Sequence, residues 1–390
     1  MHHADFQSAA GQFALLRAVE VIKPAKPGEK MFPSSPRRGP EPVFHLKRLR
    51  SSSALGLALL LLLLCFSFPA QATPPVVEAP SCEGVSANGA LRVEGARLVN
   101  AQGKPIQLKG MSTHGIHWFP QYADRQAVHQ LKTLGANLFR VAMYADSSDG
   151  GYNENKEAAE RNTYLLNLAV RHALDEDMYA IIDWHLLKDE TPLRHVENAK
   201  RFFHDISALY AENPAVIYEI CNEPNGKTTW EDIRVYAEQV IPAIRYNSPN
   251  ALIIVGTPDY SSGIDKVLAA PLTFPNIAYA YHYYPSLAGK GYIPLLEEAL
   301  NASIAVFVSE WGIDRNRETG ELELGKARDF VDFMRRHMIS WANWSLSNKD
   351  ESFSAIQNQV TKLHGWTDED LTPSGKLVFE ALRASQSSGH

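Results

Sequence analysis

The chain has 390 residues, with 45% hydrophobic and 10% aromatic content and a formal net charge of −6, which suits one large globular domain with extras, or two small ones. The charge is uneven: residues 1–72 hold nine Lys/Arg against four Asp/Glu, which leaves 29 against 40, or −11, on the remaining 318. An acidic body argues against a nucleic-acid partner, while seven tryptophans equip it to stack on flat apolar or sugar surfaces.

The first feature in chain order is a leader. A basic stretch, His45–Arg50, precedes an apolar run of 15 residues from Ala54 to Phe68 and then Pro69-Ala-Gln-Ala72. This order describes a secretory signal peptide spanning about 45–72 and cleaved after Ala72; the apolar run falls short of the roughly 18 residues a membrane span needs. A secreted or periplasmic protein, free of the membrane after cleavage, is expected. Residues 1–44 lack strong periodicity, and Met31 is a more natural start for such a leader. Residues 73–88, rich in proline at first, read as an extended linker, and the folded body is expected over 89–385. Two of the three cysteines, Cys82 and Cys221, lie after the leader. Their pairing stays open, although Cys221 reads as a small buried hydrophobe and no cysteine spacing suggests a zinc site.

Leu91–Gly95 and Arg97–Asn100 predict a short β-hairpin. Strand patterns then cover 106–114, 137–144, 179–185, 215–222, 251–256, 277–284, 304–310 and 339–345. Helical patterns cover 124–134, 160–176, 194–212, 230–247, 292–301, 323–338 and 374–384. Eight strands, most followed by a helix, predict an α/β fold: a (β/α)8 TIM barrel with a short N-terminal β-hairpin. The rival open sheet wants a glycine-rich phosphate turn after its first strand, and Gly110-Met-Ser-Thr-His-Gly115 does not match it.

A barrel places its chemistry at the C-terminal ends of its strands. There the sequence sets His114, Arg140 to Tyr144, Asp183-Trp-His185, Asn222-Glu223, His282-Tyr-Tyr284, Glu310-Trp311 and Trp344. Two apolar strands that each stop on a glutamate, Glu223 and Glu310, point two carboxylates into one crevice, which is what glycoside hydrolysis requires.

Seven motifs in order carry a resemblance: Gly110-Met-Ser-Thr-His-Gly with Trp118, Asn137-Leu-Phe-Arg140, Asp183-Trp-His185, Glu219-Ile-Cys-Asn-Glu-Pro224, His282-Tyr-Tyr284, Val308-Ser-Glu-Trp-Gly312 and Trp344-Ser-Leu-Ser-Asn-Lys-Asp-Glu351. Over roughly 90–380 the chain resembles glycoside hydrolase family 5, and within it the bacterial endo-β-1,4-glucanase (cellulase) branch. The resemblance implies a catalytic barrel over 89–385 that cleaves cellulose or related β-glucans with retention. It implies Glu223 as acid/base and Glu310 as nucleophile, with Arg140 and Tyr284 holding Glu310 ionised. Asn222 is implied to bond the sugar 2-hydroxyl, while His114, His185 and His282, with Tyr144 on the neighbouring strand face, surround the reacting sugar. Trp344 is implied as its stacking floor, with Trp118, Lys349 and Glu351 toward the non-reducing end. Glu219, earlier on the strand that leads to Glu223, is expected to be structural.

Bland readings stand beside these. Arg140 also suits a structural cation among buried acids, the histidines suit ordinary hydrogen-bonding partners, and Lys349–Glu351 suits a solvated loop. Two rival functions are a metal-dependent amidohydrolase-type barrel and a sugar-binding protein without catalysis. The first wants His-x-His on strand one, where the chain has His114-Gly-Ile-His117; the second has no need of both glutamates. A monomer acting on a β-glucan polysaccharide or oligosaccharide, with no cofactor and no metal, is the expectation. Mannan, xyloglucan and mixed-linkage glucan are the alternative substrates within the family.

Overall fold

A computed structural model describes residues 83–384 except 212, 289 and 290. The leader, Cys82 and the Ser385–Gly389 tail lie outside the described residues. Residues 83–88, the end of the expected linker, are ordered: Val85–Asn88 forms a helical turn, and Ser86 donates to the Asp177 carboxylate through its N–H (2.7 Å) and its hydroxyl (2.8 Å).

The hairpin forms as β1 (Arg92–Glu94) and β2 (Arg97–Val99), paired antiparallel and turning at Gly95, whose φ of +59° is cheapest for glycine. Eight strands follow: β3 (Lys109–Thr113), β4 (Leu138–Tyr144), β5 (Tyr179–His185), β6 (Val216–Glu219), β7 (Ile253–Val255), β8 (Ile277–Tyr283), β9 (Val306–Trp311) and β10 (Trp341–Leu346). All eight pair in parallel, and β10 returns to β3 to close the barrel. Around it run α1 (Arg125–Thr133), α2 (Lys156–Asp175), α3 (Val196–Leu209), α4 (Trp230–Asn247), α5 (Ile264–Ala269), α6 (Tyr292–Asn301), α7 (Leu324–Arg336) and α8 (Pro373–Arg383).

The helices start where their sequences satisfy the first free N–H groups. Asp124 caps α1, Asn155 caps α2, Thr229 and Asp232 form a capping box on α4, and Thr372 caps α8 with Pro373 at the first helical position. The sequence did not mark α5, because six residues are too few to show a helical period.

Strand alternation divides the interior in two. One set of side chains (Phe139, Val141, Ile182, Tyr218, Val308) packs outward against the helices. The other fills the lumen with Leu108, Leu138, Ile181, Ile217, Ile254, Ala280, Phe307 and Ala342, and the hairpin adds Leu91 and Leu98 below them. Gly110 is needed between β3 and β4, because a Cβ there would lie 1.8 Å from the Leu138 carbonyl oxygen.

Two departures from regular pairing aim the site. In β8 and β9, Ala280 pairs with Phe307 but His282 pairs with Glu310, so β9 carries one extra residue. The same slip appears against β10, where Trp341 pairs with Val308 and Asn343 with Trp311. This bulge lets Ser309 and its neighbour Glu310 both reach the lumen side, which strict alternation forbids. On the opposite wall, the strand predicted over 215–222 leaves its ladder at Glu219. The next residues are held by single bonds, Ile220 N–H to Ile254 O (3.0 Å), Asn222 N–H to Trp184 O (3.1 Å) and Glu223 N–H to Leu186 O (3.2 Å).

Candidate active site

Two residues beyond the apolar lumen layer, the same strands turn polar. Arg140 follows Leu138, Asp183 follows Ile181, Glu219 follows Ile217, His282 follows Ala280 and Ser309 follows Phe307. Arg140 is fully buried and reaches three carboxylates: Nε to Glu219 (2.7 Å), Nη2 to Asp183 (2.9 Å) and Nη1 to Glu310 (3.0 Å). Nη2 also donates to the Asn222 side-chain oxygen at 2.7 Å, and Nη1 to the Ser112 hydroxyl at 3.3 Å. A planar fork of five donors suits this division of labour, which a lysine could not match.

Above this layer opens a cavity of about 880 Å3. Of the residues singled out in the sequence, Glu223, Glu310, His114, Tyr144, His185, His282, Tyr284, Trp344, Lys349 and Glu351 line it. Arg140 and Asn222 are fully buried behind its wall, and Trp118 stands at the rim, 41% exposed, packed on Tyr144 at 4.7 Å between ring centres. Trp344 stacks on His185 at 5.1 Å with only 14° between planes. Lys349 bridges Glu351 (2.7 Å) and His114 Nε2 (3.0 Å). Burial and the nearby Lys349 push His114 down to about 3, so it stays neutral.

Oxygens of Glu223 and Glu310 and a ring nitrogen of His282 all lie within 4.8 Å of one another. One oxygen of Glu310 takes the Arg140 bond, and the other accepts from the Tyr284 hydroxyl at 2.8 Å. Burial alone would raise the Glu310 carboxyl, but the charges of His282 and Arg140, aided by His185 and Tyr284, outweigh it and hold the group below its ordinary range. Glu223 moves the other way, pushed up by burial and by the charge of Glu310. Two carboxyls in one cleft are thus pushed in opposite directions, Glu310 toward the anion and Glu223 toward the acid.

His282 joins them. Its Nδ1 lies 2.8 Å from Glu223 Oε1, and its Nε2 lies 3.2 Å from the Ser309 oxygen. The Ser309 hydroxyl donates to Glu219 at 2.6 Å, which leaves its oxygen to accept, so the ring proton on Nε2 belongs to Ser309. Burial opposes a charge on His282, yet Glu310, Glu219 and Glu223 together raise it to about 10. The charged ring thus faces Glu223 through Nδ1, a contact that works against the rise of Glu223 without overcoming burial and the charge of Glu310.

Ser309 did not stand out in the sequence. Its signal was parity with Phe307, but only the bulge shows that Ser309 and Glu310 serve the same side. Phe353, which packs edge-on against Tyr284, and Leu187 also line the cavity without a sequence signature. Among the described residues Cys221 has no disulfide partner; its thiol is fully buried, and burial pushes its pKa up. Three acid or imidazole groups within ligand reach of one another, Glu223, His282 and Glu310, form the metal-competent cluster found among the described residues.

Comparison with known proteins points to one family. The sequence pattern of the family described as Cellulase (glycosyl hydrolase family 5) matches residues 99–350. Endoglucanase A of Evansella cellulosilytica is 43% identical over 73% of this chain, and endoglucanase A of Butyrivibrio fibrisolvens is 42% identical over 75%. The alignments span 58% and 68% of those relatives' own lengths. The crystal structure of the catalytic domain of Thermobifida fusca endoglucanase Cel5A superposes with a TM-score of 0.72 at 33% identity, covering 77% of this chain and 99% of that one. A variant of that domain, solved with cellotetraose, gives 0.72 at 32% identity over the same shares. Family match, relatives and barrel agree, and the chain belongs to glycosyl hydrolase family 5.

Proposed function

We propose that the chain is an endo-acting glycoside hydrolase that cleaves β-1,4-glucosidic bonds in cellulose or related β-glucans with retention of configuration. The observation that carries this reading is the Glu223–Glu310 pair, with oxygens within 4.8 Å and opposite pKa directions. A separation this short suits the retaining class, whose carboxyls sit about 5–5.5 Å apart, and leaves no room for the water an inverting enzyme places between them. The endoglucanase relatives and the cellotetraose complex of a structural neighbour support the choice of glucan.

In this mechanism Glu310 attacks the anomeric carbon while Glu223 gives its proton to the departing glycosidic oxygen. The bond to Glu310 forms as the bond to the leaving sugar breaks. Glu310 is then an ester without charge, so the leading electrostatic partner that raised Glu223 is gone and its pKa falls. Glu223 takes a proton from water, the hydroxide attacks the same carbon, and Glu310 leaves as a carboxylate. Arg140 and Tyr284 keep Glu310 aimed throughout, and Trp344 offers a flat apolar face to a sugar ring. The leader's reading as a secretory signal extends the proposal to action outside the cytoplasm, and among the described residues no helix is long and apolar enough to cross a membrane.

A polysaccharide panel tests this reading, scored by product size and anomeric configuration. Mid-chain cuts in soluble cellulose derivatives giving β-configured products are expected. Equal or faster cleavage of mannan would overturn the substrate, α-configured first products would overturn the mechanism, and stoichiometric zinc required for activity would overturn both.

A further inference from the structure

Away from the reacting groups, two buried aspartates clamp together the loops that follow β4 and β5. Asp146, 1% exposed, accepts the backbone N–H groups of Leu187 (3.0 Å), Lys188 (3.1 Å) and Asp189 (3.1 Å). Asp189, 4% exposed, answers from the other loop. It accepts the Ser147 N–H and hydroxyl, both at 2.7 Å, and meets Arg194 at 2.9 Å and His195 at 3.0 Å. A carboxylate that takes three N–H bonds from one short stretch fixes that stretch firmly, since each bond is charge-assisted.

The clamped stretch is the ledge on which the Glu223 loop rests. Leu186 O accepts the Glu223 N–H (3.2 Å) and the Asn222 amide (3.3 Å). Leu187 O accepts the Asn225 amide (2.7 Å), and Glu190 O accepts the Asn225 N–H (3.0 Å). Because β6 leaves its ladder at Glu219, these bonds do for Glu223 what strand pairing does for residues deeper in the barrel.

We infer that Asp146 and Asp189 are positioning residues for proton transfer: they hold the 186–190 ledge so that the Glu223 carboxyl meets the glycosidic oxygen. This rests on the reading of Glu223 as the acid. Neither aspartate touches the reacting groups, so the effect reaches the chemistry only through the ledge.

Aryl β-cellobiosides separate this role from plain stability. A phenyl leaving group needs a proton from the acid, whereas a dinitrophenyl group departs without one, and kcat/KM reads the step in which the leaving group departs. Asp146→Asn points an amide N–H at the Lys188 N–H. It is expected to lower kcat/KM about 10- to 100-fold on the phenyl substrate, the scale of a misplaced general acid, and to leave the dinitrophenyl substrate nearly unaffected. Ser147→Ala, which deletes one bond to Asp189, is expected to show the same selectivity at a few-fold, and it carries the test if Asp146→Asn does not fold. Equal losses on both substrates, or no loss on either, overturn the proposal. Glu223→Ala is the reference: if its own loss is not selective, the acid reading fails, whereas a selective Glu223→Ala beside an unselective Asp146→Asn and Ser147→Ala defeats the clamp alone.

Discussion

The lumen of this barrel holds two layers built on the same strands, two residues apart. The lower layer of Leu138, Ile181, Ile217, Ala280 and Phe307 is apolar; the upper, of Arg140, Asp183, Glu219, His282 and Ser309, is ionic or polar and comparably buried. The strands are the same, so the difference lies in what each layer does with burial. Below, burial stabilises by removing apolar surface from water. Above, burial is a cost that each group offsets through a partner, and that cost is what separates the two carboxyls chemically.

The sharpest break between the layers is expected from Glu310→Ala, which should reduce the release of reducing ends from soluble cellulose derivatives by on the order of 10^4-fold or more with the fold intact. Next comes a matched pair of stability measurements. Arg140→Met leaves three buried carboxylates without their shared cation and is expected to cost about 3–5 kcal/mol in denaturant unfolding, with activity lost as well. Phe307→Ala in the lower layer is expected to cost a similar amount, about 3–5 kcal/mol, with kcat/KM per folded molecule nearly unchanged. If both variants lost activity alike, the layers would not be functionally distinct.

The smallest expected effect is a shift in pH profile. The proposed mechanism needs Glu310 ionised and Glu223 protonated, so activity should be lost as pH falls through the Glu310 pKa and as it rises through that of Glu223. Glu310 is held low, so the acid limb lies below the ordinary carboxylate range; Glu223 is held high, so the alkaline limb lies above it. His282→Asn removes the leading cation beside Glu310. The acid limb of the residual kcat/KM profile should therefore move to higher pH, and an unmoved limb would show that Arg140, with His185 and Tyr284, suffices to hold Glu310 low.

Most of this arrangement was legible in the sequence because period-two alternation and strand-end chemistry coincide in a barrel. Leu138-Phe-Arg140 shows a strand, its two faces and the change from apolar to ionic within three residues. What the sequence hid was register. Nothing in Val306-Phe-Val-Ser-Glu-Trp311 marks an extra residue, since a bulge is a relation between strands and not a property of one. The apolar run through Ile220 and Cys221 likewise suggested a longer fourth strand, because the loop continues into the core and must be apolar whether paired or not. The Asp146–Asp189 clamp was hidden for another reason: it joins side chains to the backbone of a different loop, and any two loop aspartates read alike.

The hairpin β1–β2 has a practical consequence. The family match begins at residue 99 and ends at 350, yet Leu91 and Leu98 complete the apolar floor of the lumen, and Lys109 on β3 donates to the carbonyls of Leu382 (2.5 Å) and Ala384 (2.8 Å). A fragment trimmed to the recognised limits would keep Glu223 and Glu310 but lose Glu351 and Phe353 from the cavity wall, delete α8 and open the barrel's base to water. The span that identifies the enzyme is therefore shorter than the span that must be expressed for it to stand.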